Sequence, residues 1–181
     1  MKLRENLTFP IKLFIGIIVY FTLGCSSSNP IEKEPEPIVP TTGLAVNAIT
    51  TNTGGNFTPY NVVAIWIENS AGEFVKSLTV YAIVRRYELS KWFSSSAGNL
   101  VDAKTGATKS SFGTITGYWN GKDTKGAIVP DGKYTLWLEI SDKGGMGNAS
   151  SFTFTKGVTT EILAPENAIG FSNINIKWMP L

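Results

Sequence analysis

Apolar and polar positions alternate along most of the chain with a period of two, in short runs broken by glycine, proline and asparagine. From Gly43 onward, Leu44-Ala45-Val46-Asn47-Ala48-Ile49 reads as a strand. The strongest strand runs from Tyr60 to Glu68. Val62, Ala64 and Trp66 fall on one of its faces and Val63, Ile65 and Ile67 on the other, so the pattern predicts cover on both sides. Asn69-Ser70-Ala71-Gly72 supplies a turn, and Phe74 to Ile83 returns as the second arm of a hairpin. Tyr87 to Phe93 is the one segment whose spacing fits a short helix, with Leu89 and Trp92 meeting at i, i+3. Residues 94–113 are rich in Ser, Gly, Thr and Ala and read as one long irregular loop, a length that in a compact domain is usually functional or disordered. Regular strands resume at Thr114 to Trp119 and, after the turn Pro130-Asp131-Gly132-Lys133, at Tyr134 to Ile140. In that last strand Tyr134, Leu136, Leu138 and Ile140 share a face. Ser151 to Thr155 and Ile174 to Trp178 close the pattern. About seven or eight strands with almost no helical period predict an all-β sandwich over residues 43–181, without internal repeats.

The N-terminal pattern is different. Lys2 and Arg4 precede an apolar run from Ile11 to Leu23, which ends in Thr22-Leu23-Gly24-Cys25. A charged start and an apolar core of roughly 7–15 residues describe a secretory signal, whereas a spanning helix needs about 20 apolar residues. Gly24-Cys25 resembles the lipobox read by the lipoprotein signal peptidase, with Thr22 standing where leucine is usual. Cys25 is the single cysteine of the chain, and lipidation accounts for both its place and its solitude in an oxidising compartment. Residues 1–24 are therefore expected to be a lipoprotein signal peptide. Residues 25–42 follow as the lipidated Cys25 and a Pro/Ser-rich tether, Ser-Ser-Ser-Asn-Pro-Ile-Glu-Lys-Glu-Pro-Glu-Pro-Ile-Val-Pro-Thr-Thr. The expected location is the cell envelope, outside the cytoplasm, periplasmic or at the outer membrane.

Charge and composition narrow the chemistry. The chain carries 16 Lys and Arg against 14 Asp and Glu. Removing the signal leaves the two signs in balance, which argues against nucleic acid as a partner. A 43% hydrophobic and 12% aromatic composition is enough for a packed core. There is no histidine. With neither imidazole nor a thiol in the folded part, Ser-His-Asp, Cys-His and zinc chemistry are excluded and no metal site is expected. Asp123, Asp131 and Asp142 lie in glycine-bearing turns, but their spacing is not that of a calcium loop.

Two segments resemble known families. Trp119-Asn120-Gly121-Lys122-Asp123, then Gly126, then Val129-Pro130-Asp131-Gly132-Lys133-Tyr134-Thr135-Leu136 is similar to the immunoglobulin-like module of flagellar hook-capping proteins. That resemblance implies an immunoglobulin-like sandwich and no particular function. Within the long loop, Asp102-Ala103-Lys104-Thr105-Gly106-Ala107-Thr108 resembles the acceptor motif for covalent flavin attachment, found in flavin-carrying subunits of electron-transfer complexes. The order of segments from residue 43 to 156 also resembles an exported family of unknown function that carries this motif.

The resemblance implies a phosphoester between FMN and Thr108, made by a flavin transferase from FAD, with Asp102, Thr105, Gly106 and Ala107 as recognition positions. It further implies a redox carrier, not a catalyst with its own active site, passing electrons to or from membrane electron-transfer proteins. Tyr87, Trp92, Tyr118 and Trp119 are candidates to stack on the flavin, with ordinary core packing as the simpler expectation for them. Arg85 and Arg86 are candidates for its phosphate, with a solvated edge as the simpler role. The alternative function is a cofactor-free immunoglobulin-like structural module that binds protein or glycan at the cell envelope.

Overall fold

The computed structural model describes residues 40–181. The expected signal peptide, Cys25 and most of the tether lie outside the described residues. Nine strands follow one another: β1 (Gly43–Thr50), β2 (Val62–Asn69), β3 (Phe74–Tyr81), β4 (Lys104–Gly106), β5 (Thr114–Trp119), β6 (Gly132–Ser141), β7 (Asn148–Lys156), β8 (Glu161–Leu163) and β9 (Phe171–Met179). A 3-10 turn (Arg86–Glu88) and one short helix, α1 (Ser90–Ser96), stand between β3 and β4. One sheet has the order β5-β1-β9-β8 and the other β4-β3-β2-β6-β7. All neighbours are antiparallel except β3 and β4, which run parallel. This is the β-sandwich that the alternation predicts.

The core between the sheets is built from alternate positions, since successive side chains of a strand point to opposite faces. Leu44, Val46 and Ala48 of β1, Val63, Ile65 and Ile67 of β2, Leu136, Leu138 and Ile140 of β6, and Ile174, Ile176 and Trp178 of β9 meet there. Trp119, Tyr134, Phe154 and Trp178 form an aromatic cluster at one end, with ring centroids 5.2 to 6.3 Å apart. The Tyr134 hydroxyl donates to the Pro130 carbonyl at 2.7 Å, pinning the start of β6 to its own turn as the tyrosine corner of immunoglobulin-like sandwiches does.

The other face of β2 is covered too, and by the helix. Val62, Ala64 and Trp66 pack with Val80, Ala82, Leu89 and Trp92 in a second buried cluster. Two buried carboxylates fasten α1 to this outer face. Glu139 accepts the first N–H groups of the helix, from Lys91 at 3.1 Å and Trp92 at 2.8 Å, filling the role of an absent cap side chain. Glu68 accepts the indole N–H of Trp66 (3.1 Å), the indole N–H of Trp137 (2.8 Å) and the Ser95 hydroxyl (2.6 Å). The two tryptophans it joins are stacked, 5.6 Å apart and 8° from parallel.

These buried acids shape the response to pH. Burial pushes the Glu139 carboxyl above its ordinary value of 4.5, against the opposing pull of the helix N–H groups and of Lys91. Asp142 moves the other way. Burial pushes it up, but hydrogen bonds from Thr53, Thr58 and the Gly55 backbone outweigh that and hold it below 3.8. A carboxyl whose value is raised on folding stabilises fully below its unfolded value and loses that contribution as pH rises through the raised one; a lowered carboxyl does the reverse. Glu139 therefore contributes fully below 4.5 and progressively less above it. Asp142 contributes fully above 3.8 and loses its share on acidification. Denaturant midpoints should fall as pH rises from about 4.5 toward neutrality, and the fall should flatten in Glu139→Gln. An equal slope in both proteins would assign it to another group.

Candidate functional site

The site is built on β3, which is not a regular strand. Two register shifts against β2 leave Val75 and Leu78 without direct partners, each the extra residue of a β-bulge. The bulges set the phase of the residues between and after them. Lys76, Thr79 and Tyr81 stand opposite Ile67, Ile65 and Val63, which belong to the inter-sheet core. Directly opposed residues share a face, so these three side chains face inward along the outer rim of the sheet. The Thr79 hydroxyl donates across the layers to the Thr116 carbonyl at 2.7 Å.

The motif segment is laid along that rim. Lys104, Thr105 and Gly106 form β4 and pair in parallel with Thr79, Val80 and Tyr81. Part of the stretch expected to be an irregular loop is therefore an edge strand, and the last turn of α1 takes its first three residues. Its approach is tied down by a short relay. The Trp92 indole N–H donates to the Ser77 hydroxyl at 2.9 Å, which donates to the Asn99 carbonyl at 2.8 Å.

Asp102 and Thr108 sit at opposite ends of this segment. Asp102 has a left-handed backbone, φ 54°, which aspartate tolerates better than most residues. Its carboxylate, 73% exposed, takes an ion pair at 2.9 Å from Lys76, whose side chain is 7% exposed. The pair borders a recess of about 310 Å³ that Thr42, Tyr118 and Asn120 also line. Thr108 lies instead in a second groove, likewise about 310 Å³, with Tyr81, Lys109 and Ser111. Both grooves are at the lower end of the range of ligand pockets. The structure thus brings Gly106, Ala107 and Thr108 together in one groove, leaves Thr105 exposed on β4 opposite Val80, and holds Asp102 apart on its own lysine.

The Thr108 stretch is held at both ends. The Ile83 N–H donates to the Gly106 carbonyl at 3.3 Å, and Asn61 and Lys109 exchange two backbone hydrogen bonds of 3.0 and 2.8 Å. The Asn61 side-chain amide adds bonds to the Pro59 and Ser111 carbonyls, 3.0 and 3.2 Å. Asn61 Oδ1 is buried and, among the described residues, has no hydrogen-bond partner.

Gly106 is the tightest point. A Cβ there would lie 2.7 Å from Cε1 of Tyr81, and nearer still to Cδ1, so only glycine lets the ring close on the backbone. Gly106→Ala is expected to cost about 1–3 kcal/mol through overpacking. In a Tyr81→Leu background the same change should cost much less, a coupling that a double-mutant cycle on thermal unfolding measures. Additive costs would show that the ring does not set the requirement.

The other candidates have structural roles. Trp92 and Trp119 are core residues at 0% and 2% exposure. Tyr87 is exposed and leans on Phe93, centroids 4.9 Å apart. Arg85 is paired with Glu88 and stands over the Phe57 ring, and Arg86 stands over Tyr87. Asp123 caps its own turn through the Lys125 and Ala127 N–H groups, Asp131 pairs with Lys156, and Asp142 holds Thr53 and Thr58. The three acids do not converge, and among the described residues no cluster of three metal-ligating side chains occurs. Tyr81 and Lys76 are not singled out by the sequence pattern, because a bulged strand carries no periodic signal, and Asn61 is not because its bridge to Lys109 is a long-range contact.

A profile of the family described as "Predicted periplasmic protein (DUF2271)" matches residues 45–170, more than two-thirds of the chain. The chain belongs to this family. Membership in DUF2271 supports an extracytoplasmic location, and no helix among the described residues is long and apolar enough to cross a membrane. Neither the curated proteins nor the solved structures contain a match. The stretch matched to DUF2271 takes in β2 to β8 and all the residues that line the Thr108 groove.

Proposed function

We propose that this domain carries FMN covalently on Thr108 and serves in electron transfer outside the cytoplasm, held at the membrane by a lipid on Cys25. The observation that carries the reading is the Thr108 groove. A hydroxyl at the end of an Asp-x-x-Thr-Gly-Ala-Thr motif stands in an open cleft, on a segment pinned before and after it. Two features favour the fit of a flavin there. Gly106 lets the Tyr81 ring close on the segment, which gives the groove an aromatic wall, and Asn61 fixes the segment through its backbone bonds with Lys109 and its amide bond to the Ser111 carbonyl.

In this reading Thr108 Oγ attacks the flavin-side phosphorus of FAD. The new P–O bond replaces the diphosphate linkage, AMP leaves, and the hydroxyl proton passes to a base of the flavin transferase. Gly106 and Ala107 keep the flank of Thr108 low enough for an enzyme to approach. Asp102, fixed by Lys76 at the far end of β4, offers the transferase a second handle. When bound, the flavin supplies the redox chemistry that a domain without histidine or thiol lacks. The covalent bond retains it in a compartment where a free cofactor would diffuse away.

Co-expression with a flavin transferase tests this directly. Intact mass should rise by one FMN less one water, and the yellow colour should survive denaturation and gel electrophoresis. An unchanged mass under those conditions overturns the attachment and leaves the cofactor-free binding module as the function. Mass analysis of the mature N-terminus, expected to show diacylglycerol on Cys25, tests the anchor separately.

A further inference from the structure

We propose that Tyr81, Lys104 and Lys109 form the non-covalent half of the flavin site: Tyr81 as the platform for the isoalloxazine ring, the two lysines as the charges that raise its reduction potential. The inference rests on attachment at Thr108 and concerns what happens to the ring once it is tethered there.

Three observations meet at this point. Tyr81 and Thr108 line the same groove, so a ring attached at Thr108 has an aromatic wall within its own cleft. Lys109 Nζ lies 5.2 Å and Lys104 Nζ 5.9 Å from the centroid of the Tyr81 ring. Neither ammonium takes part in an ion pair among the described residues, and, unlike Arg86 and Lys91, which each stand over a ring of their own, these two share one ring. Two uncompensated like charges beside one phenol ring repel each other, and cation–π attraction at a solvent-exposed rim is weak. The arrangement is matched by a ligand that is flat, aromatic and able to take up negative charge.

A tethered flavin has those properties. Offset stacking on Tyr81 buries one ring face, and the tether raises the ring's local concentration so that even weak stacking is populated. On reduction the isoalloxazine takes up two electrons and one proton and gains one negative charge. The two ammonium groups stabilise that charged form over the neutral oxidised ring, which shifts the couple to a higher potential. The same positive rim suits an electron donor with acidic groups around its own cofactor.

The test uses the flavinylated domain, with the adduct confirmed by mass before any other reading. In the wild-type protein, flavin fluorescence should be at least twofold below that of the same protein after unfolding. Tyr81→Leu should restore most of it, and Tyr81→Phe, which keeps the ring, should not. Lys104→Gln with Lys109→Gln should lower the midpoint potential by a tenfold change in the reduction equilibrium, about 30 mV for a two-electron couple. Lys177→Gln, on β9 of the other sheet, should leave it unchanged. Absence of the adduct overturns both the attachment and this inference. An adduct whose fluorescence ignores Tyr81, or whose potential ignores both lysines, overturns this inference alone. The lysine variants lie at the surface and keep the test valid even where Tyr81→Leu loosens the fold.

Discussion

Thr108→Ala is expected to remove the covalent flavin completely and to leave the stability of the domain within about 0.5 kcal/mol of wild type. The two halves of that expectation come from different levels of the structure. Thr108 lies half-buried at the wall of an open groove, outside both hydrophobic clusters, so its side chain adds little to packing. Its neighbours are held by backbone bonds from Asn61 and Ile83 that do not involve the Thr108 side chain. The hydroxyl oxygen, by contrast, is the only atom through which the proposed phosphoester forms. Thr108→Ser, which retains an oxygen in nearly the same place, should still accept FMN. Intact mass and in-gel fluorescence read the adduct, and thermal unfolding reads the fold. Yellow colour resistant to denaturation in Thr108→Ala would move the attachment to another hydroxyl, Thr105 or Ser110 being adjacent.

Trp92→Ala is expected to have the largest effect on stability, about 3–5 kcal/mol. Trp92 is fully buried in the second cluster, between α1 and the outer face of β2 and β3. Removing it opens a cavity there and takes away the donor to Ser77. The consequence reaches the motif, because Ser77 in turn holds the Asn99 carbonyl three residues before Asp102. Loading should therefore fall in Trp92→Ala even at temperatures where the domain is still folded. Trp92→Phe, which fills much of the cavity but donates nothing, separates the two contributions. It should recover most of the stability and less of the loading. Urea unfolding monitored by tryptophan fluorescence, with mass analysis of the loaded fraction, makes the comparison. Full loading in a destabilised Trp92→Ala would disconnect the helix from the motif.

Much of this fold was legible from alternation alone. The two-faced reading of β2 matches its place in the middle of a sheet with the other sheet on one side and α1 on the other. The shared face of Tyr134, Leu136, Leu138 and Ile140 is the inner face of β6. Leu89 and Trp92 lie in one buried cluster, although the helix begins at Ser90, later than the spacing places it. The strands that were missed, β4 and β8, have three residues each, too few to show a period. The phase of β3 was illegible for another reason. Its bulges exist only in relation to β2, and pairing register is a tertiary property. Of the candidate site, the motif could be read from residue types, but its surroundings could not. Tyr81 looks like one more strand aromatic until β4 lies beside it, and Lys76 looks like a surface charge until it turns inward toward Asp102.

The three residues of β4 also act as a guard rail. They cover the outer margin of β3 along Thr79, Val80 and Tyr81, whose N–H and C=O groups would otherwise be open to another chain. An enzyme that lifts the segment away to reach Thr108 bares that margin for as long as it holds on. Under the proposed attachment, a transferase that works on the segment in place, reading it as an extended ribbon with a grip at Asp102 and a target at Thr108, keeps that margin covered.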